Sequence, residues 1–197
     1  SCRITTRDKQ SWGVTPGLTT AIEARISIPS AIGTWPAFWA MGDLSDGTLT
    51  TVYNPPFDHF DRMGTHWPSS GEIDIMEHVN TVTQTTHNLF WDTRLGLQST
   101  WCPTCVGNAP SVFPVANVTA FHVYRLERTT TQIRWLVDGT LIKTQSITDP
   151  TMADEFATQP YHVIMNLALA GSFPGVPPNI ADFPMEMLVD YIRVYRY

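Results

Sequence analysis

The sequence has few charged residues and no long hydrophobic run. Only 15% of its 197 residues are Asp, Glu, Lys or Arg, and the acids outnumber the bases to give a net charge of −6. A negatively charged chain is a poor partner for nucleic acid or an anionic membrane, so we expect neither. No apolar run approaches the ~18–20 residues that cross a bilayer. No basic segment followed by an apolar one opens the chain, so we expect any export signal to have been removed or to lie outside it.

Cysteine is scarce as well, with three in the chain. Cys102-Pro-Thr-Cys105 has the spacing of a redox motif or of half a zinc site. A thioredoxin-like motif needs a βαβ setting, which is missing, and a zinc site needs further ligands that no second CxxC supplies. A loop-stapling disulfide or two unpaired thiols remain as alternatives, and Cys2 is then left over.

Helix signals are nearly absent, whereas short strand signals recur along the chain. Together with 15 prolines and 12 glycines, many short strands predict a single all-β domain over residues 1–197, built as a two-sheet sandwich. Asp138-Gly139 suits a type I′ turn and predicts a hairpin. The remaining predicted elements are strands at Ala21–Ile28, Gln132–Val137, Thr140–Gln145, Tyr161–Ala170 (buried on both faces) and Val189–Tyr195, and one short helix around Thr151–Phe156.

Three carboxylates stand in the otherwise apolar run Gly71–His78: Glu72, Asp74 and Glu77. An unpaired buried carboxylate costs several kcal/mol to desolvate, and no lysine or arginine lies nearby in the sequence to pair with them. A solvent-facing strand with scattered acids is the structural alternative. The alternation of the acids with isoleucine and methionine favours chemistry instead.

The spacing of these acids predicts a β-bulge. In a regular strand, residues two apart share a face, which would group Glu77 with Ile73 and Ile75. One extra residue near Ile75–Met76 would turn Glu77 onto the face of Glu72 and Asp74, and such bulges occur beside active sites. Two long side chains leaning together would bring their carboxyls to about 5–6 Å, the separation of a retaining glycosidase.

The run Glu-Ile-Asp-Ile-Met-Glu resembles the active-site signature of glycoside hydrolase family 16. Its two-residue gap between Asp74 and Glu77 is typical of laminarinase-like endo-β-1,3-glucanases, whereas a one-residue gap is typical of lichenases and xyloglucan enzymes. The resemblance extends along the chain in family order, through residues 33–39, Trp67-Pro68, residues 121–124, residues 133–139, residues 166–171 and residues 188–195.

The resemblance implies a fold and a set of roles. The fold is a curved two-sheet β-jelly roll, like that of concanavalin and other lectins, with a cleft on its concave face. Glu72 would be the nucleophile, Asp74 its assistant and Glu77 the acid/base. The implied substrate contacts, with core packing as the alternative for Trp35, are Trp39, Trp67, His87, Trp35 and Phe173.

Three features depart from the family pattern. Several strands usually precede the segment at which this chain begins, so we expect N-terminal strands of the family domain to be absent and edges and core to be exposed. Those strands help many relatives to bind a structural calcium with the aspartate that matches Asp190, and we assign no metal. The segment 42–67 is longer than usual. Phe173 stands where most relatives have tryptophan, with less surface to stack and no N–H donor.

The leading hypothesis is therefore a secreted, monomeric endo-β-1,3-glucanase that hydrolyses laminarin-like or mixed-linkage β-glucans with net retention. A sequon at Asn117-Val118-Thr119 and the extracellular location of solid glucans favour secretion. Alternatives are a licheninase, agarase or transglycosylase on the same fold. A catalytically silent β-glucan-binding module is a further alternative, although such modules lose one or both glutamates and this chain keeps all three acids.

Overall fold

The computed structural model describes residues 1–43, 70–92, 105–107 and 111–197. Their regular secondary structure is almost entirely β-strand. The strands are β1 (Cys2–Thr5), β2 (Thr20–Ser27), β3 (Thr34–Gly42), β4 (Glu72–Glu77), β5 (Gln84–Asp92), β6 (Cys105–Gly107), β7 (Ser111–Pro114), β8 (His122–Arg128), β9 (Gln132–Val137), β10 (Thr140–Ser146), β11 (Tyr161–Leu169) and β12 (Leu188–Arg196). One α-helix, α1 (Pro150–Phe156), and a 3₁₀ turn at Ile180–Asp182 complete the described elements.

The strands form two antiparallel sheets, which confirms the predicted sandwich. The first sheet has the order β1-β11-β3-β4-β5-β6, and β7 also pairs with β5. The second has the order β10-β9-β8-β2-β12. The first sheet places β4 at its centre, between β3 and β5, so the predicted catalytic strand is held on both sides.

The core lies between the sheets and follows the period-two pattern of the sequence. Ile22, Ala24 and Ile26 of β2 are at most 1% exposed. Ile133 and Trp135 of β9 are fully buried in the same cluster. Complete burial of a side chain of this kind stabilises the fold by about 1.5–3 kcal/mol, so the alternating strands supply most of the driving force.

The predicted hairpin and helix are both present. Asp138 and Gly139 have φ values of 48° and 79°, as a type I′ turn between β9 and β10 requires. Helix α1 begins after Asp149, whose carboxylate accepts the Thr151 N–H at 2.9 Å. This N-cap satisfies one of the amides that the first helical turn leaves unpaired.

The two remaining predicted strands form, but with less burial than expected. In β11, residues 161–165 are buried, whereas residues 166–169 are only partly covered. The strand predicted at Val189–Tyr195 is the edge strand β12, where Leu188 and Ile192 are 46% and 38% exposed. The opposing edge of the first sheet is β1, with Ile4 56% exposed. A cavity of about 280 Å³ lies between these edges, lined mainly by apolar side chains.

Some predictions fall outside the described residues. The long segment with Trp67 and the side chains of Cys102 and Cys105 belong to this group, so their expectations stay predictions. Cys2 is described, and it is an exposed free thiol. No helix in the described part of the chain is long and apolar enough to cross a membrane.

Candidate active site

Strand β4 carries the predicted bulge. Asp74 pairs with Trp39 of β3, Met76 pairs with the adjacent Phe38, and Ile75 has no partner in that register. On the other side, the pairing with β5 also shifts between Asp74 and Glu77. Two residues of β4 therefore occupy the space of one, which is the definition of a bulge.

The bulge separates the strand into a core face and a cleft face. Ile73, Ile75 and Met76 are buried in the core at 0–1% exposure. Glu72, Asp74 and Glu77 line a single cavity of about 190 Å³ on the opposite face. The other lining residues are Trp35, Ala37, Trp39, Asn166 and Ala168. The sequence argument for one acidic face is confirmed in its geometry.

Gly71 fixes the start of the catalytic strand. Its φ is +73°, a left-handed conformation that side chains disfavour. A Cβ at this position would also collide with the Tyr161 hydroxyl, which is held in the core by a bond to the Glu155 carbonyl at 3.0 Å. Glycine before Glu72 is therefore required by both conformation and space.

Asp74 sits between the two glutamates and is almost completely buried, at 2% exposure. Burial, followed by repulsion from Glu72 and Glu77, raises the pKa of Asp74 well above its usual range. Its side chain is hydrogen-bonded to Glu72. Carboxylates this close resist ionising together, so the titrations of Asp74 and Glu72 depend on each other.

Glu77 lies at the other end of the acidic row. Burial raises its pKa, and a hydrogen bond from the Trp35 indole N–H to Oε1 at 2.8 Å partly opposes this rise. A raised pKa keeps a carboxyl protonated closer to neutral pH. The two glutamates thus have unlike surroundings, one beside a buried acid and the other beside an indole donor.

The floor of the cavity beside the acids is aromatic and amide-lined. Trp39 donates its indole N–H to Asn166 Oδ1 at 2.7 Å, and the guanidinium of Arg3 lies 5.0 Å from the Trp39 ring centre. We did not single out Asn166 or Arg3 from the sequence. A lone amide inside the apolar strand β11 was the available signal for Asn166. Arg3 gave no signal, because only strand pairing brings β1 next to β11.

The predicted substrate contacts differ in their positions relative to the cavity. Trp35 and Trp39 line the cavity, so the core-packing alternative for Trp35 is not what the structure shows. Phe173 lies just beyond, 44% exposed, with its ring edge-on to Trp35 at 5.5 Å. Trp67 lies outside the described residues.

The predicted cleft position of His87 is corrected by the structure. Asp74 and Glu77 pair with Asn88 and Thr86 of β5, so His87 between these partners faces the other way. Its ring is fully buried on the core side, next to the Ile75 carbonyl at 2.7 Å. The buried Leu89 and Trp91, two and four residues further on, were a sequence signal for this orientation. His78 is also buried, with its ring between the carbonyls of Asn80 and Gln84 in the β4–β5 turn.

Asp190, the position that the resemblance connects with calcium, is in an ion pair. Its carboxylate bonds the Arg25 guanidinium at 2.8 Å, which leaves it poorly available to a cation. Across the described ranges, no three His, Cys, Asp or Glu side chains gather as a metal site would require. We therefore assign no metal and derive no step through one.

Comparison with known proteins places this geometry in a family. The sequence profile described as "Glycosyl hydrolases family 16" matches residues 1–192. The chain belongs to glycosyl hydrolase family 16. Its fold is accordingly the β-jelly roll that the resemblance implied.

Relatives and solved structures agree with this membership. A β-glucanase of Rhodothermus marinus is 38% identical over all of this chain and 62% of its own length. A glucan endo-1,3-beta-glucosidase A1 of Niallia circulans is 31% identical over all of this chain and 26% of its own. The X-ray structure of the laminarinase from Rhodothermus marinus superposes with a TM-score of 0.73 and 31% identity, covering 98% of this chain and 69% of that one. The chain thus spans less than two thirds of the length of these two sequence relatives.

Proposed function

We propose that this chain hydrolyses internal β-1,3-glucosidic bonds in laminarin-like or mixed-linkage β-glucans, with retention of anomeric configuration. The observation that carries the proposal is the row of three carboxylates along one cavity, with tryptophans beside it. Two of the relatives are named as a β-glucanase and a glucan endo-1,3-beta-glucosidase, which supports a β-glucan as the substrate.

The mechanism assigns a different role to each glutamate. Glu72 attacks the anomeric carbon as the bond to the leaving oxygen breaks, and Glu77 gives that oxygen its proton. A glycosyl-enzyme ester on Glu72 results. Glu77, now ionised, then takes a proton from the water that attacks the same carbon, which releases the sugar and regenerates both carboxyls.

The surroundings of the acids support this assignment. The raised pKa of Glu77 keeps its proton in place for the first step. Asp74 is hydrogen-bonded to Glu72 and has a pKa well above its usual range. In the proposed mechanism it donates its proton to the Glu72 carboxylate and limits repulsion between the two acids. The double displacement needs an ionised nucleophile and a protonated acid, and the different surroundings of the two glutamates support these roles.

The rest of the cavity fits a neutral polysaccharide. Pyranose rings present C–H faces that lie on aromatic rings, and their hydroxyls need polar partners. Trp39 and Trp35 supply the aromatic surface, and Asn166 and Arg3 supply polar groups at its border. We further propose that the protein acts outside the cell and as a monomer, since solid β-glucans are extracellular.

Substitution of the two glutamates tests the function. In Glu72→Ala and Glu77→Ala, reducing-sugar release from laminarin should fall at least about a hundredfold, since a general acid alone contributes 10²–10⁴-fold. Glu186→Ala removes an exposed carboxylate outside the cleft and should leave the rate unchanged. Equal rates in all three variants would refute the assignment. Binding of laminarin by a wild-type protein that never cleaves it would instead show a binding module.

The linkage and the stereochemistry need a second measurement. Products from laminarin, lichenan, xyloglucan and agarose should be compared in parallel, with the anomer formed first followed by NMR. We expect oligosaccharides from laminarin, with or without lichenan, and initial release of the β-anomer. Cleavage of xyloglucan or agarose alone would overturn the glucanase proposal, and initial α-anomer would overturn retention.

A further inference from the structure

The bulge in β4 affects the hydrogen bonding of backbone carbonyls on its core side. Two residues opposite one interrupt the regular ladder, and backbone carbonyls in a dry core need hydrogen-bond donors. Two such carbonyls, those of Asp74 and Ile75, have side-chain partners. The Trp135 indole of β9 donates to the Asp74 oxygen at 2.9 Å, and the His87 ring of β5 lies 2.7 Å from the Ile75 oxygen.

The contacts of His87 define its tautomer. Nδ1 carries the proton, because a carbonyl only accepts, and Nε2 then accepts from the Thr85 hydroxyl at 3.0 Å. Burial lowers the pKa of His87 to about 4, so the ring is neutral near pH 7. Both ring nitrogens are thus occupied within the core, and the imidazole is held in one orientation.

Lys143 of β10 connects the two donors. Its ammonium bonds the His87 carbonyl at 3.3 Å and lies 4.9 Å from the centre of the Trp135 ring. Burial lowers the pKa of Lys143, whereas the charge of Asp74 acts in the opposite direction. A partly buried cation therefore lies behind the catalytic strand, on the side away from the substrate.

We propose that His87 and Trp135 are positioning residues that aim Glu77 by holding the two carbonyls of the bulge, and that Lys143 fixes both of them. The proposal rests on the function proposed above, since it concerns the geometry of the same acid. None of the three residues lines the cleft. They act on the reaction through the backbone of β4, which carries Glu77 directly after the bulged pair.

The charged groups around the acids determine how kcat/KM should depend on pH. Glu72, Asp74 and Glu77 face one another on β4, Lys143 lies behind them on β10, and Arg3 borders the cleft from β1. His87 is the titratable group on β5 that contacts the bulge. If the bulge relaxes, Glu77 becomes less buried and its pKa falls, so the alkaline limb of the kcat/KM profile should move to lower pH.

Four variants separate these contributions. His87→Leu removes the donor to Ile75, and Trp135→Phe removes the donor to Asp74. We expect kcat to fall about ten- to a hundredfold with KM nearly unchanged, as a displacement of ~1 Å produces, and the alkaline limb to shift to lower pH. His87→Asn places a side-chain N–H close to the position of Nδ1, which donates to Ile75, and should restore most of the loss. Lys143→Met should cost less, and it should shift the acidic limb to higher pH because a positive charge near Asp74 is lost.

Thr20→Val is the matched control. It deletes one buried side-chain bond, from Thr20 to the Gly13 carbonyl at 2.9 Å, far from the cleft. It should lower stability without moving either pH limb. Hydrogen exchange of the peptide covering residues 73–77 should accelerate in His87→Leu and Trp135→Phe, and not in the control.

The outcomes distinguish this inference from the proposed function. If wild type cleaves laminarin and His87→Leu matches Thr20→Val in kcat, pH limbs and exchange, the positioning role is wrong. If wild type does not cleave laminarin, the proposed function fails, and the exchange of residues 73–77 still decides whether these side chains hold the bulge. Should His87→Leu or Trp135→Phe not fold, Lys143→Met is compared with Thr20→Val instead. Equal kcat, pH limbs and exchange of residues 73–77 in these two variants would overturn the positioning role.

Discussion

The two flanks of the sandwich are built from strands of the same alternating pattern, but the apolar side chains of one flank are buried and those of the other are half exposed. Under the cleft, Ile73 and Ile75 of β4 are buried against Trp135, and the carbonyls of the bulge meet side-chain donors. At the other flank, Ile4 of β1 and Leu188 of β12 remain about half exposed beside an apolar cavity. The difference shows that an alternating strand determines which side chains face inward, whereas burial depends on what lies opposite them.

The cleft flank also contains a group of buried or partly buried ionisable side chains. A buried histidine, a partly buried lysine and three carboxylates lie within or behind one strand. The open flank has a mainly apolar cavity, and the Asp190–Arg25 ion pair on its strand β12 is partly exposed. Function therefore concentrates where the packing is complete, since only a closed core can hold side chains to the accuracy that catalysis needs.

The largest contrast should come from one substitution made on both flanks. Ile73→Ala removes a fully buried side chain and should cost about 2–5 kcal/mol of unfolding free energy. Ile192→Ala, at a position 38% exposed, should cost about 1 kcal/mol or less. Urea unfolding followed by tryptophan fluorescence measures both values. Equal losses would mean that the two flanks are packed alike, contrary to the exposure of their side chains.

Acid should weaken the cleft flank before the open one. The pKa of His87 is lowered from 6.5 to about 4 in the folded chain, so between these values the unfolded chain binds the extra proton. Stability from this group is complete above pH 6.5 and is lost as pH falls towards 4, by at most about 3 kcal/mol. The raised pKa values of Asp74 and Glu77 act in the opposite direction. The slope due to His87 is therefore measured as the difference in unfolding free energy between wild type and His87→Gln at several pH values.

The same titration has its own control in the chain. In His87→Gln, the difference in bound protons between the unfolded and the folded chain should change by about one, which removes the contribution of His87 to the dependence of stability on pH. Exchange at low pH should increase in β4 and β5 and remain unchanged in β1 and β12. An unaltered slope in His87→Gln would show that the His87 ring does not cause the acid sensitivity.

The smallest effect is expected at the open edge. Leu188→Ser replaces a side chain that is 46% exposed and should change the unfolding free energy by about 0.5–1 kcal/mol. Laminarin cleavage should stay at the wild-type rate, because the position is remote from the acids. Loss of more than about 2 kcal/mol would show that the apolar edge is covered in solution.

Much of the fold and the acidic row followed from the sequence for local reasons. The bulge was predictable because a carboxylate on a core face is so unfavourable that only one backbone arrangement suits Glu77. The hairpin was predictable because Asp138-Gly139 accepts positive φ at both positions. These inferences need only neighbouring residues.

Other features depend on pairing between distant strands. Arg3 reaches Trp39 only because β1 pairs with β11, which pairs with β3. His87 was predicted in the cleft by resemblance, although the buried Leu89 on the same face indicated the core. The exposure of Ile192 on β12 depends on what faces it, which its own sequence does not contain.

The register around the bulge has a consequence for how such a site can change in evolution. Glu77 pairs with Ala37 and Thr86, two pairing positions beyond Asp74 on each neighbour, where the acid of a regular strand would stand. Loss of the codon for Ile75 would therefore leave every carboxylate at its present register and remove one side chain from the core. Deletion of this single codon would therefore change the volume of the core without turning a carboxylate inward. The catalytic row and the core beneath it can thus vary independently, provided that the carbonyls released by the extra residue find donors.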